Sequence, residues 1–286
     1  MISVVIPAYN ESEIIGKVIG ELIIELNKNG NDYEIIIVDD GSKDDTRIVA
    51  ESAGAKVIRH PYNIGNGAAV KTGIRNANGD TVVLMDGDGQ HSPQDIEKLL
   101  QYIPQYDMVV GARVDKKSGS KHRNFANTIY NIFASYLTHF KVMDLTSGFR
   151  IIKKKIALKF LYLLPNTFSY PSTITLALIR NGYSLKYVPI IVTKRVGKSK
   201  INLIIDGLRF LIIMLKIATL FSPLRVFIPL SMIFFGFGIW HLIYKVFILT
   251  EKYTEFTIFL FIIGIFIFLL GLISEQISQM RYDRSS

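Results

Sequence analysis

The most constraining feature of this 286-residue chain is an uninterrupted apolar segment near its end, FTIFLFIIGIFIFLLGLI (256–273), which contains no charged residue. At ~1.5 Å rise per residue, its eighteen residues would form a helix about 27 Å long, close to the thickness of the hydrocarbon core of a bilayer. A second long apolar segment, 224–249, precedes it after the short sequence TEKYTE (250–255). The sequence therefore predicts a transmembrane hairpin with spans of about 225–249 and 256–274.

The charges that flank this hairpin predict its orientation. Arg225, Arg281 and Arg284 lie at the outer ends, whereas the loop between the spans has two Glu against one Lys. Because Lys and Arg mark the cytoplasmic side of a span, both chain ends and the domain before the hairpin are expected to face the cytoplasm. The protein is thus expected to be integral to a plasma or inner membrane. The chain opens on a strand-like sequence, so no cleavable signal is expected.

The first half of the chain alternates short apolar strands with amphipathic helices. Continuous apolar strands in such an alternation predict a mostly parallel α/β sheet covered on both faces. Ligands bind such sheets beyond the carboxyl ends of the strands, where the polar sequences 10–11, 39–40 and 86–90 fall. Ser42 and Asp45 resemble a capping box at the start of the second helix. The strands are predicted at 2–8, 33–39, 55–59, 81–85 and 107–113, and the helices at 13–28, 44–53 and 93–103.

Two later segments are predicted to be amphipathic helices in the membrane interface. The first covers about 123–140, and its polar residues fall mainly at four-residue spacing. The second covers about 200–221, where a single charged stripe crosses an otherwise apolar helix. A buried core helix with a solvated edge is the alternative for the second segment. The predicted organisation is a catalytic domain, 1–222, followed by the hairpin and a cytoplasmic tail, 223–286.

The overall charge favours an anionic partner. The chain has 33 Lys and Arg against 24 Asp and Glu, a formal net charge of +9. The basic residues precede membrane segments, so we expect a lipid bilayer as the partner and do not expect nucleic acid. The chain has no cysteine, so any metal would be held by oxygen or imidazole ligands.

The sequence MDGDGQ (85–90) is a candidate metal site. In an extended segment, residues two apart point the same way, so Asp86, Asp88 and Gln90 could converge. Their oxygens suit Mg²⁺ or Mn²⁺, which could bridge a diphosphate; an Asx-type turn is the alternative interpretation. His91 could contact the metal or a phosphate, or it could lie behind the ligands or at the surface. The Asp39-Asp40 pair could accept from a ribose or a base, or could belong to a helix cap.

Seven sequences in order resemble the family-2 glycosyltransferases of GT-A fold, and specifically the polyprenyl-phosphate glycosyltransferases typified by dolichol-phosphate mannose synthase. The resemblance covers about residues 1–200 and implies a Rossmann-like sheet, and the C-terminal hairpin is similar as well. SGFR stands where processive polysaccharide synthases have a Gln-x-x-Arg-Trp sequence, which argues against polymer synthesis. The seven sequences are VIPAYNE (5–11), VDDGSKDDT (38–46), NIGNGAAVKTG (63–73), MDGDGQHSP (85–93), GAR (111–113), DLTSGFR (144–150) and RVGKSK (195–200).

The resemblance also implies roles for individual residues. The donor nucleotide would be bound by Pro7, Tyr9, Glu11, Asp39, Asp40 and Asp86, and Mg²⁺ or Mn²⁺ by Asp86, Asp88 and Gln90. The acceptor phosphate would be bound by Arg113, Arg123, Ser147, Arg150, Arg195 and Lys200. Asp88, Arg113, Arg123 and Arg195 would be the catalytic residues.

The implied reaction is inverting, metal-dependent transfer of a hexose from a UDP- or GDP-sugar to undecaprenyl or dolichyl phosphate, for cell-envelope glycans or protein glycosylation. One alternative is transfer to a lipid or glycan hydroxyl, for which Asp144 is the carboxylate we nominate as the base. A second alternative, from another class, is a non-catalytic nucleotide-binding membrane scaffold. The resemblance is also compatible with a homo-oligomer that packs through the spans.

Overall fold

The chain forms two compact units, Met1–Lys200 and Ile201–Ser286. The computed structural model describes residues 1–28, 30, 32–114, 121–166, 169–192, 212, 215–216, 219–220, 222–249, 252 and 254–283, without the side chains of 121–126, 247 and 281–283. The sequence placed the domain boundary after residue 222, whereas the compact units divide after residue 200. Most of the predicted interface helix 200–221 lies outside the described residues, so this helix stays a prediction.

The first unit is a seven-stranded sheet with helices between its strands. The strands are β1 (Ile2–Ala8), β2 (Tyr33–Asp39), β3 (Lys56–Arg59), β4 (Thr81–Leu84), β5 (Met108–Arg113), β6 (Arg150–Lys153) and β7 (Leu185–Ile190). The helices are α1 (Ile15–Lys28), α2 (Thr46–Ser52), α3 (Asn66–Asn76), α4 (Gln94–Leu100), α5 (Lys121–Thr138), α6 (Lys154–Phe160) and α7 (Tyr170–Arg180), and a short 3₁₀ turn, Leu161–Leu163, follows α6.

The strand order is β3-β2-β1-β4-β6-β5-β7. All pairs are parallel except those of β6, which is antiparallel to both β4 and β5. The mostly parallel α/β fold expected from the sequence is therefore confirmed. β1, β2 and β4 lie side by side with their carboxyl ends at one edge, which brings the polar residues after these strands together.

Burial explains why the central strands have continuous apolar sequences. All seven residues of β1 are buried, as are the last five of β2. The helix α1 covers this sheet with five buried residues at helical spacing, namely Ile15, Val18, Ile19, Leu22 and Leu26. Gly73 of α3 lies so close to β1 that a Cβ there would be 2.1 Å from Cγ1 of Val5. The small residues of α3 thus allow close packing of helix on strand at this point.

The expected bounds of β1 and β2 agree with the structure, but other features differ, and the helices α6 and α7 were not predicted. β6 and β7 were not predicted: β6 is only four residues long and starts at Arg150, and β7 is an edge strand that contains Pro189. The expected capping box at Ser42 is wrong. The helix α2 starts at Thr46, Asp45 makes no side-chain cap bond, and the Ser42 hydroxyl accepts the Asn10 N–H instead, at 2.9 Å.

The polar residues of α5 hold the chain that follows it. Asn131 accepts the Leu145 N–H through Oδ1 at 2.9 Å and donates through Nδ2 to the Met143 carbonyl, while the Ser135 hydroxyl accepts the Val142 N–H. Other side chains of this helix, including Ile132, which is 65% exposed, are apolar and open to solvent. An interface role for α5 stays a prediction.

Two long helices of the second unit lie within the described residues, α8 (Leu224–Ile243) and α9 (Glu255–Asp283), and a π-helical turn, Tyr244–Ile248, follows α8. The segments Leu224–Val246 and Glu255–Met280 are long and apolar enough to cross a bilayer. Only 11% and 22% of their most apolar windows are buried, whereas a core helix of a soluble protein would be mostly buried. These segments agree closely with the predicted spans.

Small residues let α8 and α9 pack closely. A Cβ at Gly238 would lie 3.2 Å from the Phe261 ring, and a Cβ at Gly264 would lie 3.1 Å from the Phe235 ring. The Ser231 hydroxyl donates to the Gly264 carbonyl at 2.8 Å. His241 Nδ1 of α8 lies 2.9 Å from the Thr257 hydroxyl of α9, so this histidine joins the two helices. The two helices therefore form a packed hairpin.

Candidate active site

A cleft of about 550 Å³ opens at the carboxyl ends of the central strands. Its lining includes eight residues that the sequence nominated: Pro7, Tyr9, Glu11, Asp40, Asp86, Asp88, Gln90 and Arg113. The remaining lining residues are Ala8, Asn63, Gly65, Asn66 and Gly87. The structure thus brings the proposed donor, metal and acceptor residues of four different strand ends into a single cavity.

The loops after β1 and β2 are tied to each other by hydrogen bonds. The Asp40 N–H donates to the Ala8 carbonyl, and the Glu11 N–H donates to the Thr46 hydroxyl, both at 2.9 Å. Lys43 donates its backbone N–H to the side-chain oxygen of Asn10, which adopts a left-handed φ of 55°. These bonds hold the part of the cleft that contains Tyr9 and Glu11.

Asp40 lines the cleft, but its carboxylate already accepts several hydrogen bonds. Oδ1 accepts from Nδ1 of His60 at 2.7 Å and from the Ile64 N–H at 3.0 Å, and Oδ2 accepts from the Gly65 N–H at 2.8 Å. His60 Nε2 in turn lies 2.9 Å from the Thr72 hydroxyl of α3. Asp40 therefore fixes the loop before α3, and Oδ2 keeps the capacity to accept one further hydrogen bond.

Asp39 does not line the cleft, which corrects its assignment to the donor pocket. Asp39 is fully buried; its Oδ1 accepts a hydrogen bond from the Ser42 N–H at 2.8 Å, and its Oδ2 faces Nε of Arg59 at 3.4 Å. The first aspartate of the pair ends β2 with its side chain turned into the protein. Only Asp40 faces the cavity.

Asp86, Asp88 and Gln90 share the cleft, although the local geometry differs from the one we expected. β4 ends at Leu84, and residues 87–89 form a turn, with Gly89 at a φ of 69°. The Gln90 N–H donates to Oδ1 of Asp88 at 3.2 Å, so the Asx-type turn is also present. The reasoning from an extended strand was wrong, yet the turn still directs all three residues to one cavity.

The side chain of Asp86 keeps 37% exposure and faces the cavity, with Oδ2 at 3.9 Å from Nε2 of His91. Burial opposes its ionisation, but His91 and two nearby arginines lower the pKa of Asp86 below its ordinary value. The group is therefore a carboxylate at neutral pH.

Asp86, Asp88 and Gln90 fit a divalent cation that takes some of its ligands from the protein and the others from a bound substrate. Within the described residues, no three His, Cys, Asp or Glu side chains form a cluster that could hold a metal unaided. Two carboxylates and an amide oxygen do line the cavity. Mg²⁺ typically takes one or two protein carboxylates and completes its shell with phosphate oxygens and water. The donor set fits a metal of this kind.

Arg113 ends β5, lines the cavity and pairs with Asp144. Its Nε and Nη2 atoms donate to the two Asp144 oxygens at 2.7 and 2.8 Å, and Nη2 also donates to the Thr146 hydroxyl. Burial opposes the charge, but these bonds and the Asp144 carboxylate raise the pKa of Arg113. Among the described residues, the two N–H groups on Nη1 of Arg113 make no hydrogen bond, so they can donate to a ligand in the cleft.

Ser147 and Arg150 do not reach the cleft, which contradicts their assignment to the acceptor phosphate. Both residues are fully buried. The Ser147 hydroxyl donates to the Gly111 carbonyl at 2.6 Å, and the Arg150 guanidinium donates to the Pro171 carbonyl, the Thr175 hydroxyl and the Ser147 carbonyl. These two polar residues hold β5, β6 and α7 together.

Three nominated residues cannot be placed. Arg195 and Lys200 lie outside the described residues, and the side chain of Arg123 is likewise outside the description. Their roles stay predictions.

Sequence reasoning missed several residues around the cleft. Asn63 and Asn66 line it, and Oδ1 of Asn66 is buried without a hydrogen-bond partner among the described residues. His60 was missed because it lies just before the glycine-rich sequence 63–73, on which the interpretation of this region was based. Gly148 was missed because the sequence TSGFR was interpreted through its polar residues. A Cβ at Gly148 would lie 2.3 Å from Oδ2 of Asp86.

Comparison with known proteins agrees with this architecture. Residues 3–161 match glycosyl transferase family 2, and residues 222–280 match the GtrB C-terminal hairpin. The first match covers more than half of the chain and contains the strands β1, β2, β4 and β5 that end at the cleft.

Curated relatives match between about half and two thirds of the chain. An uncharacterized protein of Methanocaldococcus jannaschii, MJ1222, is 34% identical over 66% of this chain and 80% of its own length. The UDP-N-acetylglucosamine–dolichyl-phosphate N-acetylglucosaminyltransferase of Methanococcus voltae is 36% identical over 56% of this chain and 72% of its own. The dodecaprenyl-phosphate galacturonate synthase of Rhizobium johnstonii is 28% identical over 54% of this chain and 48% of its own.

A solved structure supports the fold. Glucosyl-3-phosphoglycerate synthase from Mycobacterium tuberculosis, crystallised with Mn²⁺, uridine diphosphate and phosphoglyceric acid, superimposes with a TM-score of 0.60 at 20% identity. The superposition covers 76% of this chain and 78% of that chain. From its sequence match, its sheet and its cleft, this chain belongs to glycosyl transferase family 2 and combines that family's catalytic domain with an apolar C-terminal hairpin of the GtrB type.

Proposed function

We propose that this protein transfers a sugar from a nucleoside diphosphate sugar to a polyprenyl phosphate at the membrane surface, with inversion at the anomeric carbon. The relatives from Methanococcus voltae and Rhizobium johnstonii are named for polyprenyl phosphate substrates, and the hairpin supports membrane attachment. The observation that carries the proposal is the single cleft, whose lining combines carboxylate and amide oxygens with the Arg113 guanidinium.

The strand order supports a donor that lies across the sheet edge. Asp40 follows β2 and Asp86 follows β4, with β1 between them. Neighbouring strands are about 4.8 Å apart, so the two strand ends are roughly 10 Å apart. A nucleoside could bind at the Asp40 end while its diphosphate reaches Asp86, Asp88 and Gln90. Mg²⁺ or Mn²⁺ on these three residues would neutralise the charge that develops on the leaving diphosphate.

The ion pair between Arg113 and Asp144 favours a phosphate acceptor over a hydroxyl acceptor. A hydroxyl acceptor needs a base, and Asp144, the carboxylate that we nominated, is held by two hydrogen bonds from the Arg113 guanidinium and one from the Arg113 backbone N–H. A phosphate monoester has its second pKa at about 6, so at neutral pH it is already a nucleophile without a base. The Nη1 atom of Arg113 could bind its oxygens, because the guanidinium fork matches phosphate geometry.

The reaction is then a single displacement. An oxygen of the acceptor phosphate forms a bond to the anomeric carbon, the bond from that carbon to the donor diphosphate breaks, and the electron pair leaves with the nucleoside diphosphate. Residues at both sides of the cleft hold the reactants in line, which supplies much of the rate. We further propose that Arg123, Arg195 and Lys200 add positive charge at the acceptor.

The membrane hairpin would keep the cleft near the carrier lipid. The positive charges at both outer ends of the hairpin favour a cytoplasmic catalytic domain and cytoplasmic chain ends. Interface helices at about 123–140 and 200–221, and a homo-oligomer through the spans, belong to this proposal.

The test is transfer by the purified full-length chain in lipid nanodiscs. Labelled UDP- and GDP-sugars are supplied with undecaprenyl phosphate, dolichyl phosphate or the matching alcohols, and the extracted lipids are identified by mass. We expect a sugar phosphate lipid with one donor class, no product from the alcohols, and no product in excess chelator. Product from the alcohols alone would support the hydroxyl acceptor, and donor binding without any product would support the scaffold.

Asp88→Ala should abolish transfer, because it removes a carboxylate from the proposed metal site. The matched control is Glu97→Ala, which changes an exposed acid of α4 outside the cleft. Turnover near the wild-type rate in Asp88→Ala, with Glu97→Ala unchanged, would refute the metal assignment.

A further inference from the structure

Gly148 occupies a position where no other residue fits without displacing Asp86. A Cβ at this position would lie 2.3 Å from Oδ2, 2.8 Å from Cγ and 2.9 Å from Oδ1 of Asp86. All three of its nearest atoms therefore belong to one carboxylate. The backbone of Gly148 does not have the left-handed φ that favours glycine, so space alone requires a glycine there.

The next residue supports the other side of the same carboxylate. The ring of Phe149 is fully buried and stacks on the His91 ring, with centroids 5.0 Å apart and planes at 19°. His91 is itself only 6% exposed, and its Nε2 faces Oδ2 of Asp86 at 3.9 Å. The Phe149 ring thus determines where the His91 ring lies, and the His91 ring limits where Asp86 can move.

The segment that carries these two residues is anchored at both ends. Ser147 donates its hydroxyl proton to the Gly111 carbonyl of β5, and the Gly111 N–H donates to the Phe149 carbonyl at 3.0 Å. Arg150 donates to carbonyls of Ser147 and Pro171 and to the Thr175 hydroxyl. A fully buried guanidinium with such partners restricts the backbone on both sides.

We propose that Ser147–Arg150 is a positioning element for Asp86, in which Gly148 leaves the space for the carboxylate and Phe149 holds His91 against it. This inference rests on the proposed function, because it assumes that Asp86 binds the divalent cation and the donor diphosphate. It assigns to this segment a role at the donor side of the cleft, whereas its Ser and Arg had indicated the acceptor phosphate.

The test is the affinity for Mn²⁺ in Gly148→Ala, measured on the full-length chain by the loss of the free Mn²⁺ electron paramagnetic resonance signal. UDP and GDP are each added in separate titrations. A displaced carboxylate should weaken Mn²⁺ binding roughly tenfold or more, since metal sites tolerate displacements of only about 0.5 Å. The Mn²⁺ concentration for half-maximal transfer should rise by a similar factor, while the KM for polyprenyl phosphate stays within about twofold.

Two further variants separate positioning from general damage. Gly20→Ala makes the same change in α1, where a Cβ meets nothing within 4 Å, and it should leave Mn²⁺ affinity unchanged. His91→Asn removes the ring that stacks on Phe149 and should weaken Mn²⁺ binding in the same direction. If Gly148→Ala does not fold, His91→Asn carries the test alone.

The outcomes distinguish this inference from the proposed function. A wild-type chain that binds no Mn²⁺ with either nucleotide overturns the proposed metal site and this inference with it. If the wild type binds Mn²⁺ and both Gly148→Ala and His91→Asn bind it with the same affinity, only the inference is overturned. A raised KM for polyprenyl phosphate at unchanged Mn²⁺ affinity would also overturn it, because the segment would then act on the acceptor.

Discussion

The ion pair between Arg113 and Asp144 allows a quantitative test of both stability and acceptor chemistry. Asp144→Asn keeps the shape of the side chain but removes its charge and one of its acceptor oxygens. The two bonds that it disturbs are 2.7 and 2.8 Å long, in the range of charge-assisted hydrogen bonds. The Arg113 charge then remains at the cleft without the partner that now orients it.

The size of the effect follows from the exposure of the two side chains. Asp144 is 7% exposed and Arg113 is 22% exposed, so the pair is partly screened by solvent. Hydrogen bonds to charged groups contribute about 1.5–3 kcal/mol, and breaking a fully buried pair costs about 3–5 kcal/mol. We therefore expect unfolding to become easier by about 2–3 kcal/mol, which lowers Tm by roughly 4–12 °C for a unit of this size.

Activity should change mainly through the acceptor. A less fixed guanidinium should raise the KM for polyprenyl phosphate roughly tenfold and leave kcat less affected. If Asp144 were a general base, kcat itself would fall by about 10²–10⁴-fold. The assay is steady-state transfer with labelled donor over a range of polyprenyl phosphate, next to thermal unfolding of the same preparation.

Asp107→Asn is the matched control for this prediction. Asp107 also pairs with a cation, Lys153, at 3.0 Å, but it does not line the cleft. It should lower Tm and leave the acceptor KM unchanged. An unchanged Tm in Asp144→Asn would refute the stability argument, and a collapse of kcat at constant KM would revive the base and the hydroxyl acceptor.

Two further predictions concern the loops at the cleft. His60→Phe removes the ring nitrogens that contact Asp40 and Thr72; it should destabilise the protein by about 1–3 kcal/mol and raise the donor KM, which thermal unfolding and donor titrations would show. Burial opposes the ionisation of Asp44, but hydrogen bonds from Ser12 and Thr46 lower its pKa to about 2. The stabilisation that the Asp44 carboxylate contributes is therefore present above pH 3.8 and is lost as the pH falls towards 2. Across this pH range the free energy of unfolding should fall further in the wild type than in Asp44→Asn, and the difference should stay below about 1 kcal/mol because Asp44 is exposed. Parallel curves of unfolding temperature against pH for the two proteins would contradict this.

The sequence could predict the central sheet because burial there is uniform. β1 and the last part of β2 are buried on both faces, so their apolar sequences are continuous and their bounds are clear. The same reasoning located the cleft, since parallel strands place their carboxyl ends at one edge. Asp40, Asp86 and Arg113 follow or end three different strands. The sequence could therefore predict that they lie close together, without any knowledge of their local geometry.

Other features depend on contacts that no local pattern contains. β6 begins with a fully buried arginine, whose acceptors come from residues 147, 171 and 175, and no periodicity in a four-residue strand indicates such partners. Asp39 and Asp40 are adjacent and chemically identical, but only one faces the cavity, because Arg59 and the Ser42 N–H hold the other inside.

The sequence TSGFR shows why residue type alone misassigned a role. Serine and arginine bind phosphate in many proteins, which made the acceptor interpretation natural, but here both side chains are used by the fold. Besides Thr146, whose hydroxyl accepts from Arg113, the residues of this sequence that meet a cleft residue or its neighbour are the glycine and the phenylalanine, neither of which carries a reactive group. Gly148 limits the position of a carboxylate 62 residues earlier in the chain, through the space that it leaves empty. A steric constraint of this kind has no sequence signature at Asp86, so it can be found only where the two segments meet.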